Sequence, residues 1–307
     1  MSKFPYFSRL FFALAMVLGL ALSAGGAMPA STLAASIDCA LATPVAAAAA
    51  ASPTVASSEA TPPAAFPDSG GALTVYAAAS LTASYTKMGK DLEAAHPGLK
   101  IAFNFAGSQD LVSQLQQGAK ADVLATASVK TMAAAIKNGS IDGSSTLFTQ
   151  NRLTIVVPKD NPAGIKSAAD LSKAGVKLVL AAVAVPVGQY AHDSICKMGL
   201  DEKTYGAKFA AKVASNIASE EDNVKAVLAK VQTGEADAGI VYTTDVTATA
   251  ARDVKEFAIP AKVNVIAKYP IAAVKGGNSA LAQAFIGYVL GPDGQATLKS
   301  FHFEPKP

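Results

Sequence analysis

"ALTVYAAASLTASYTKMGKDLEAAH", residues 72–96, is the stretch on which the fold turns. Its first seven residues read as a half-buried to buried strand. From Ser80 onward Leu81, Tyr85, Met88 and Leu92 fall on one helical face, until Pro97 and Gly98 stop the run. A strand that passes directly into an amphipathic helix is the unit of a parallel sheet covered by helices. The junction is unusual in its side chains: Ala77, Ala78, Ala79 and Ser80 are all small, and no charge occurs between Val75 and Tyr85. Small residues there clear space at a helix start, where free N–H groups and the positive end of the helix dipole favour an anion.

The same unit recurs outward from this stretch. Residues 100–106, "KIAFNFA", read as strand, 108–118 as helix, 121–127 as strand and 128–139 as helix. A second series opens with "RLTIVVPK" at 152–159. It continues with strand 177–183, a helix from about Val187 to Met198, a strand near "KFAAKVAS" (208–215), helix 220–234 and strand 236–244. Strand-like "NVIAKYPIAAVKG" and a helical tail from Ser279 to Phe301, broken at "GPDG", close the chain. The fold class is therefore α/β, with two lobes around a cleft. Lobe 1 is expected at 72–152 and 247–307, and lobe 2 at 153–246. The crossings fall near 151–154 and 244–249. Ligands of such sheets sit beyond the carboxyl ends of strands.

The first 71 residues have a different composition. Lys3 and Arg9 precede the apolar run Leu10–Leu22, and small residues follow, the order of an export signal over residues 1–30. That run is shorter than the roughly 20 residues a membrane span needs. Residues 31–71, rich in Ala, Pro, Ser and Thr, read as a disordered tether. The protein is thus expected outside the cytoplasm, with the N-terminal segment available to tether it to a membrane. Of its two cysteines, Cys39 lies in the tail and Cys196 within the second lobe. A disulfide between them is conceivable in an oxidising compartment, although one end would be in the tether; the plainer reading is a buried Cys196. Asp38 argues against a lipid on Cys39.

A formal net charge of +3 over 307 residues, with the basic residues dispersed, suits the handling of small anions and not a nucleic-acid surface. Catalysis finds little support. His96, His192 and His302 are the only histidines, no GxSxG elbow occurs, and neither cysteine belongs to a CxxC pair. Ser80 and Ser108 each follow small residues at a helix start, Ser108 after Ala106 and Gly107, and each would ordinarily be read as an N-cap. Pro186 begins another helix and leaves the amides of Val187 and Gly188 unencumbered. Tyr242 ends a strand, where packing is the common role and a neutral donor the functional one.

"LTVYAAASL", "FAGSQDLVSQLQQGAKADVLATA", "VPVGQYA", "EDNVKAVLAKVQTGEADAGIVYTTD" and "KYPIAAVKGG", in this order from Leu73 to Phe303, resemble the molybdate-binding proteins of ABC transporters. The resemblance implies the type II periplasmic-binding fold, two α/β lobes joined by two crossover strands and closing over molybdate or tungstate. It implies hydroxyl and amide donors from Ser80 and Ser108, backbone amides at Val187 and Val224, and the Tyr242 hydroxyl. It further implies no catalysis, no cofactor and no directly coordinated metal, a membrane permease as partner, and a monomer. Two departures stand out: Val187 where relatives commonly carry alanine, and "LAAVAVP" (180–186) where they show a Gly-Asp-Pro-like turn. A dianion held by neutral donors exchanges its hydration shell for fixed N–H and O–H dipoles. A protonated phosphate would bring an O–H into a site without an acceptor. Sulfate, also a tetrahedral dianion, is the alternative ligand.

Overall fold

The computed structural model describes residues 37, 39, 65–67, 70–141 and 143–307; the expected export signal lies outside them, as does most of the expected tether. Strand β1 (Gly71–Ala78) passes through a 3₁₀ turn, Ala79–Leu81, into α1 (Thr82–Ala95), which buries Tyr85, Met88 and Leu92. β1 pairs in parallel with β2 (Leu99–Ala106), from Gly71 opposite Leu99 to Ala78 opposite Ala106. Because the two strands end at the same level, α2 (Ser108–Gln116) starts beside the 3₁₀ turn. β3 (Val123–Ala125), α3 (Val129–Lys137) and β4 (Thr146–Asn151) continue this lobe.

The second lobe comprises β5 (Leu153–Pro158), β6 (Leu178–Ala181), α4 (Pro186–Leu200), α5 (Glu202–Tyr205), α6 (Phe209–Ser215), β7 (Ile217–Glu221), α7 (Val224–Gln232), β8 (Ala238–Tyr242) and β9 (Val254–Ala258). The chain then returns through β10 (Ala267–Ala273), α8 (Ser279–Leu290) and α9 (Pro292–Ser300). The sheets run β2-β1-β3-β10-β4 and β7-β6-β8-β5-β9. In the first lobe Tyr85 anchors an aromatic group with Phe103, Phe148 and Phe285, its ring 5.6 Å from that of Phe285. Each such buried side chain contributes about 1.5–3 kcal/mol relative to exposure.

Two local readings change. "KFAAKVAS" is not a strand: α6 occupies it, with Phe209 and Val213 buried. Two apolar residues four apart satisfy both the strand and the helix period, and the alanines and lysine around them favour the helix. The strand follows instead as β7. The second crossing, expected near 244–249, comes between Ala258 and Ala267, because β9 pairs with β5 in the second sheet. There the Asn264 amide clamps the first crossing, accepting from Leu153 N–H at 3.2 Å and donating to Leu153 C=O at 2.8 Å.

The N-terminal segment is held to the folded body at its described residues, Ile37 packing against the core. Cys39 forms a disulfide with Cys196 on α4, with a Cα–Cα distance of 5.4 Å, so neither sulfur is free. Phe66 packs on His96 at 4.9 Å between ring centroids. The residues expected to form a free tether therefore include covalent and apolar attachments to the folded body.

Candidate anion-binding site

Five helix starts and strand ends converge between the lobes. Ser80 in the 3₁₀ turn after β1, Ser108 at the start of α2, Val187 in the first turn of α4, Val224 at the start of α7 and Tyr242 at the end of β8 all line one cavity. None is more than 4% exposed. Ala78, Ala79, Ala106, Gly107 and Ala127 complete the first-lobe wall, and Val185, Pro186 and Asn223 the other; among the described residues no charged side chain lines it. Its free volume is about 10 Å³, near the least that holds one water, so the lobes are drawn tightly together.

Neither serine caps its helix, contrary to the N-cap reading. Ser108 Oγ accepts the Ala127 N–H at 3.1 Å, and Ser80 Oγ lies 2.9 Å from the Tyr269 hydroxyl. On the facing lobe, the N-cap of α7 is Asn223, whose Oδ1 accepts from Lys225 and Ala226 N–H at 2.9 and 3.0 Å. This cap takes the second and third helical amides and leaves that of Val224, which has no acceptor among the described residues. Pro186 has no N–H to satisfy, so Val187 offers the first free amide of α4. That helix start is seated hard on the end of β6: a Cβ on Gly188 would stand 2.1 Å from the Ala182 carbonyl oxygen.

The Tyr242 hydroxyl is buried without a hydrogen-bond partner among the described residues. Burial, then the neighbouring phenols of Tyr269 and Tyr190 and the Asp245 carboxylate, push it well above its ordinary pKa, so it stays a neutral donor. An unpaired buried hydroxyl costs about 1–3 kcal/mol, recovered when an acceptor arrives. Behind it, Asp245 accepts the Tyr242 N–H at 3.2 Å and faces the Lys225 ammonium at 2.8 Å, a contact of charge more than an aligned hydrogen bond. The pair neutralises itself just outside the cavity. His192, on the same helix as Val187, lies 3.6 Å from Glu220; burial holds its pKa below the ordinary value against the pull of that carboxylate.

Direct bonds close the cleft. Gln109 Nε2 donates to the Asp222 carbonyl at 2.9 Å, and Lys130 Nζ lies 3.4 Å from Gln189 Oε1. Gly107 is required by this approach, since its φ of −56° suits any residue but a Cβ would stand 2.4 Å from the Asp222 carbonyl oxygen. Sequence reading marked Gly107 only as a small residue before Ser108, and missed Asn223, Tyr269 and Asn151. Asn223, immediately before a helical run, carried an N-cap signal; the buried pair Tyr269 and Asn151 carried none, because their partners are more than 90 residues away in sequence.

Residues 73–304 match the family model of bacterial extracellular solute-binding proteins. The molybdate-binding protein ModA of Mycobacterium tuberculosis is 36% identical over 233 residues, covering 76% of this chain and 84% of that protein. ModA of Escherichia coli is 32% identical over 247 residues, covering 77% and 90%. A sulfate-binding protein of Synechococcus elongatus matches more distantly, at 25% identity over 228 residues, 68% of this chain and 65% of that protein. Among solved structures, the substrate-binding domain of a putative molybdenum ABC transporter from Clostridium difficile superposes with a TM-score of 0.56 at 25% identity, over 77% of this chain and 99% of that one. The two-sheet architecture is the type II periplasmic-binding fold, and the chain belongs to the bacterial extracellular solute-binding proteins, within the group of the molybdate-binding ModA proteins.

Proposed function

We propose that this protein is an extracytoplasmic receptor that captures molybdate, and tungstate with it, between its lobes and delivers the ion to the membrane permease of an ABC transporter. The observation that carries this reading is a cavity of donors that, among the described residues, no charged side chain lines. The Ser80, Ser108 and Tyr242 hydroxyls and the Val187 and Val224 amides belong to residues around it, and the Tyr242 hydroxyl has no hydrogen-bond partner among the described residues. A tetrahedral dianion would accept from all five, each charge-assisted bond being worth about 1.5–3 kcal/mol net. The ion would touch both lobes, so its contacts favour the closed arrangement over an open one. The protein acts as a carrier and not as a catalyst, without a cofactor, and works as a monomer that presents both lobes to its permease.

Sulfate has the same shape and charge but shorter bonds to oxygen, so donors spaced to reach all of molybdate's oxygens would be left partly unpaired by it. Thermal-shift measurements with molybdate, tungstate, sulfate, phosphate and no addition test the assignment, since a ligand bound to the native state alone raises its melting temperature. Molybdate and tungstate are expected to give large upward shifts and phosphate only a small one. A shift with sulfate and none with molybdate would replace the assignment by the sulfate reading.

A further inference from the structure

Beyond the five cavity donors, we infer that Tyr269 is a positioning residue that locks the Ser80 hydroxyl as a donor and thereby sets discrimination against protonated oxyanions. The inference rests on the anion-receptor reading above and adds to it a residue outside the cavity wall.

The direction of the hydrogen bonds can be worked out from groups with fixed roles. The Arg152 backbone N–H, which can only donate, lies 2.9 Å from Asn151 Oδ1, so that atom is the amide oxygen and Nδ2 is the amide nitrogen. Thr243 Oγ1 donates to the same oxygen at 3.1 Å. Asn151 Nδ2 then donates to Thr244 Oγ1 at 2.8 Å and to the Tyr269 hydroxyl oxygen at 3.4 Å. Tyr269 is fully buried, and among the described residues the acceptor hydrogen-bonded to its hydroxyl on the cavity side is Ser80 Oγ at 2.9 Å. The Tyr269 O–H therefore points to Ser80, because the reverse would leave a buried phenol proton unpaired. With its acceptor side engaged, Ser80 turns its own proton into the cavity.

Ser108 is locked in the same sense by a different group, the Ala127 N–H on its Oγ. Both first-lobe hydroxyls are thus held as donors, one by backbone and one by a side chain. Only the second can be removed by mutation without disturbing the main chain. Tyr269 also joins the cavity to the crossing, since Asn151 ends β4 at the first connection between lobes and holds Thr243 and Thr244 of the turn after β8.

A double-mutant cycle with Tyr269→Phe, Ser80→Ala and the double variant tests the inference. The phenylalanine keeps the ring edge-on to Phe148 and Phe303. Without ligand, Ser80→Ala should lower the melting temperature by stranding the Tyr269 proton, and adding Tyr269→Phe should recover part of that loss. This arm needs no anion, so it stands even if molybdate proves the wrong ligand. With molybdate, Tyr269→Phe should weaken affinity by about threefold to tenfold, the value of one hydrogen bond. It should narrow the preference for molybdate over phosphate by a similar factor, and it should add no further loss in the Ser80→Ala background. Fully additive losses, or an unchanged molybdate-to-phosphate ratio, would overturn the role of Tyr269 while leaving the receptor reading intact.

Discussion

The two lobes reach the same cavity with different chemistry. The first lobe adds side-chain hydroxyls to its amides: Ser80, whose oxygen meets the Tyr269 hydroxyl, and Ser108, whose oxygen accepts the Ala127 N–H. The second brings main chain: the first free amides of α4 and α7, with Tyr242 as its one side-chain donor. Residue identity matters in the first lobe, because only a hydroxyl can do the work. In the second it matters less at the donor positions than around them, since any residue but proline has an N–H and what counts is how firmly the helix start is placed. Substitutions in the two lobes should therefore fail in different ways.

The largest effect is expected where the second lobe's main chain is held. Alanine at Gly188 would put a Cβ 2.1 Å from the Ala182 carbonyl oxygen and 2.3 Å from that of Ala181, distances at which backbone must move. The first turn of α4 would lift from β6 and carry the Val187 amide with it. Gly188→Ala should weaken molybdate binding on the order of a hundredfold, the worth of one to two charge-assisted bonds, although no donor atom has been deleted. Calorimetry giving wild-type affinity would mean that the start of α4 does not serve the ion, and the contrast between the lobes would collapse.

An intermediate effect on affinity, with opposite effects on stability, separates the hydroxyls of the two lobes. Ser108→Ala and Tyr242→Phe each remove one donor and should each weaken binding by about tenfold to a hundredfold. Without ligand the two should part company. Ser108→Ala strands the buried Ala127 N–H and should lower the melting temperature by a few degrees, on the order of 1–3 kcal/mol. Tyr242→Phe removes a hydroxyl that has no partner among the described residues, and should leave the melting temperature level or slightly raised. A marked fall for Tyr242→Phe would show that the hydroxyl is satisfied in the empty protein.

What the sequence made legible follows the same division. The strand-to-helix junctions, the small residues at 77–79 and 106–107, and the serines beside them are local patterns, and the structure brings all of these small residues but Ala77, with both serines, to one cavity. The roles of the serines were not legible, since an N-cap reading needs only neighbours in sequence, whereas Ser80 finds its partner 189 residues away. The second crossing was misplaced because "VKEFA", Val254–Ala258, is a short edge strand with three charged or exposed positions and little periodic signal. The export-signal pattern pointed to a compartment where a disulfide is conceivable, but the pairing of Cys39 with Cys196 depends on how the tail meets α4, which no local pattern encodes.

The smallest effect should come at Val187, where the resemblance to molybdate-binding proteins implies alanine. Val187 is buried and lines the cavity, and in the proposed site its amide is the donor. Removing its two methyl groups costs about 1.6 kcal/mol of burial at roughly 0.8 kcal/mol each, so Val187→Ala should lower the melting temperature by a few degrees. Molybdate affinity should stay within about threefold of wild type, less than the value of a single lost hydrogen bond to an ion. Such a result would divide stability from binding at one residue, as expected where the main chain is the donor. A tenfold change in either direction would instead make the valine a wall of the cavity, shaping the space for the ion. The second lobe would then, like the first, depend on the identity of a side chain.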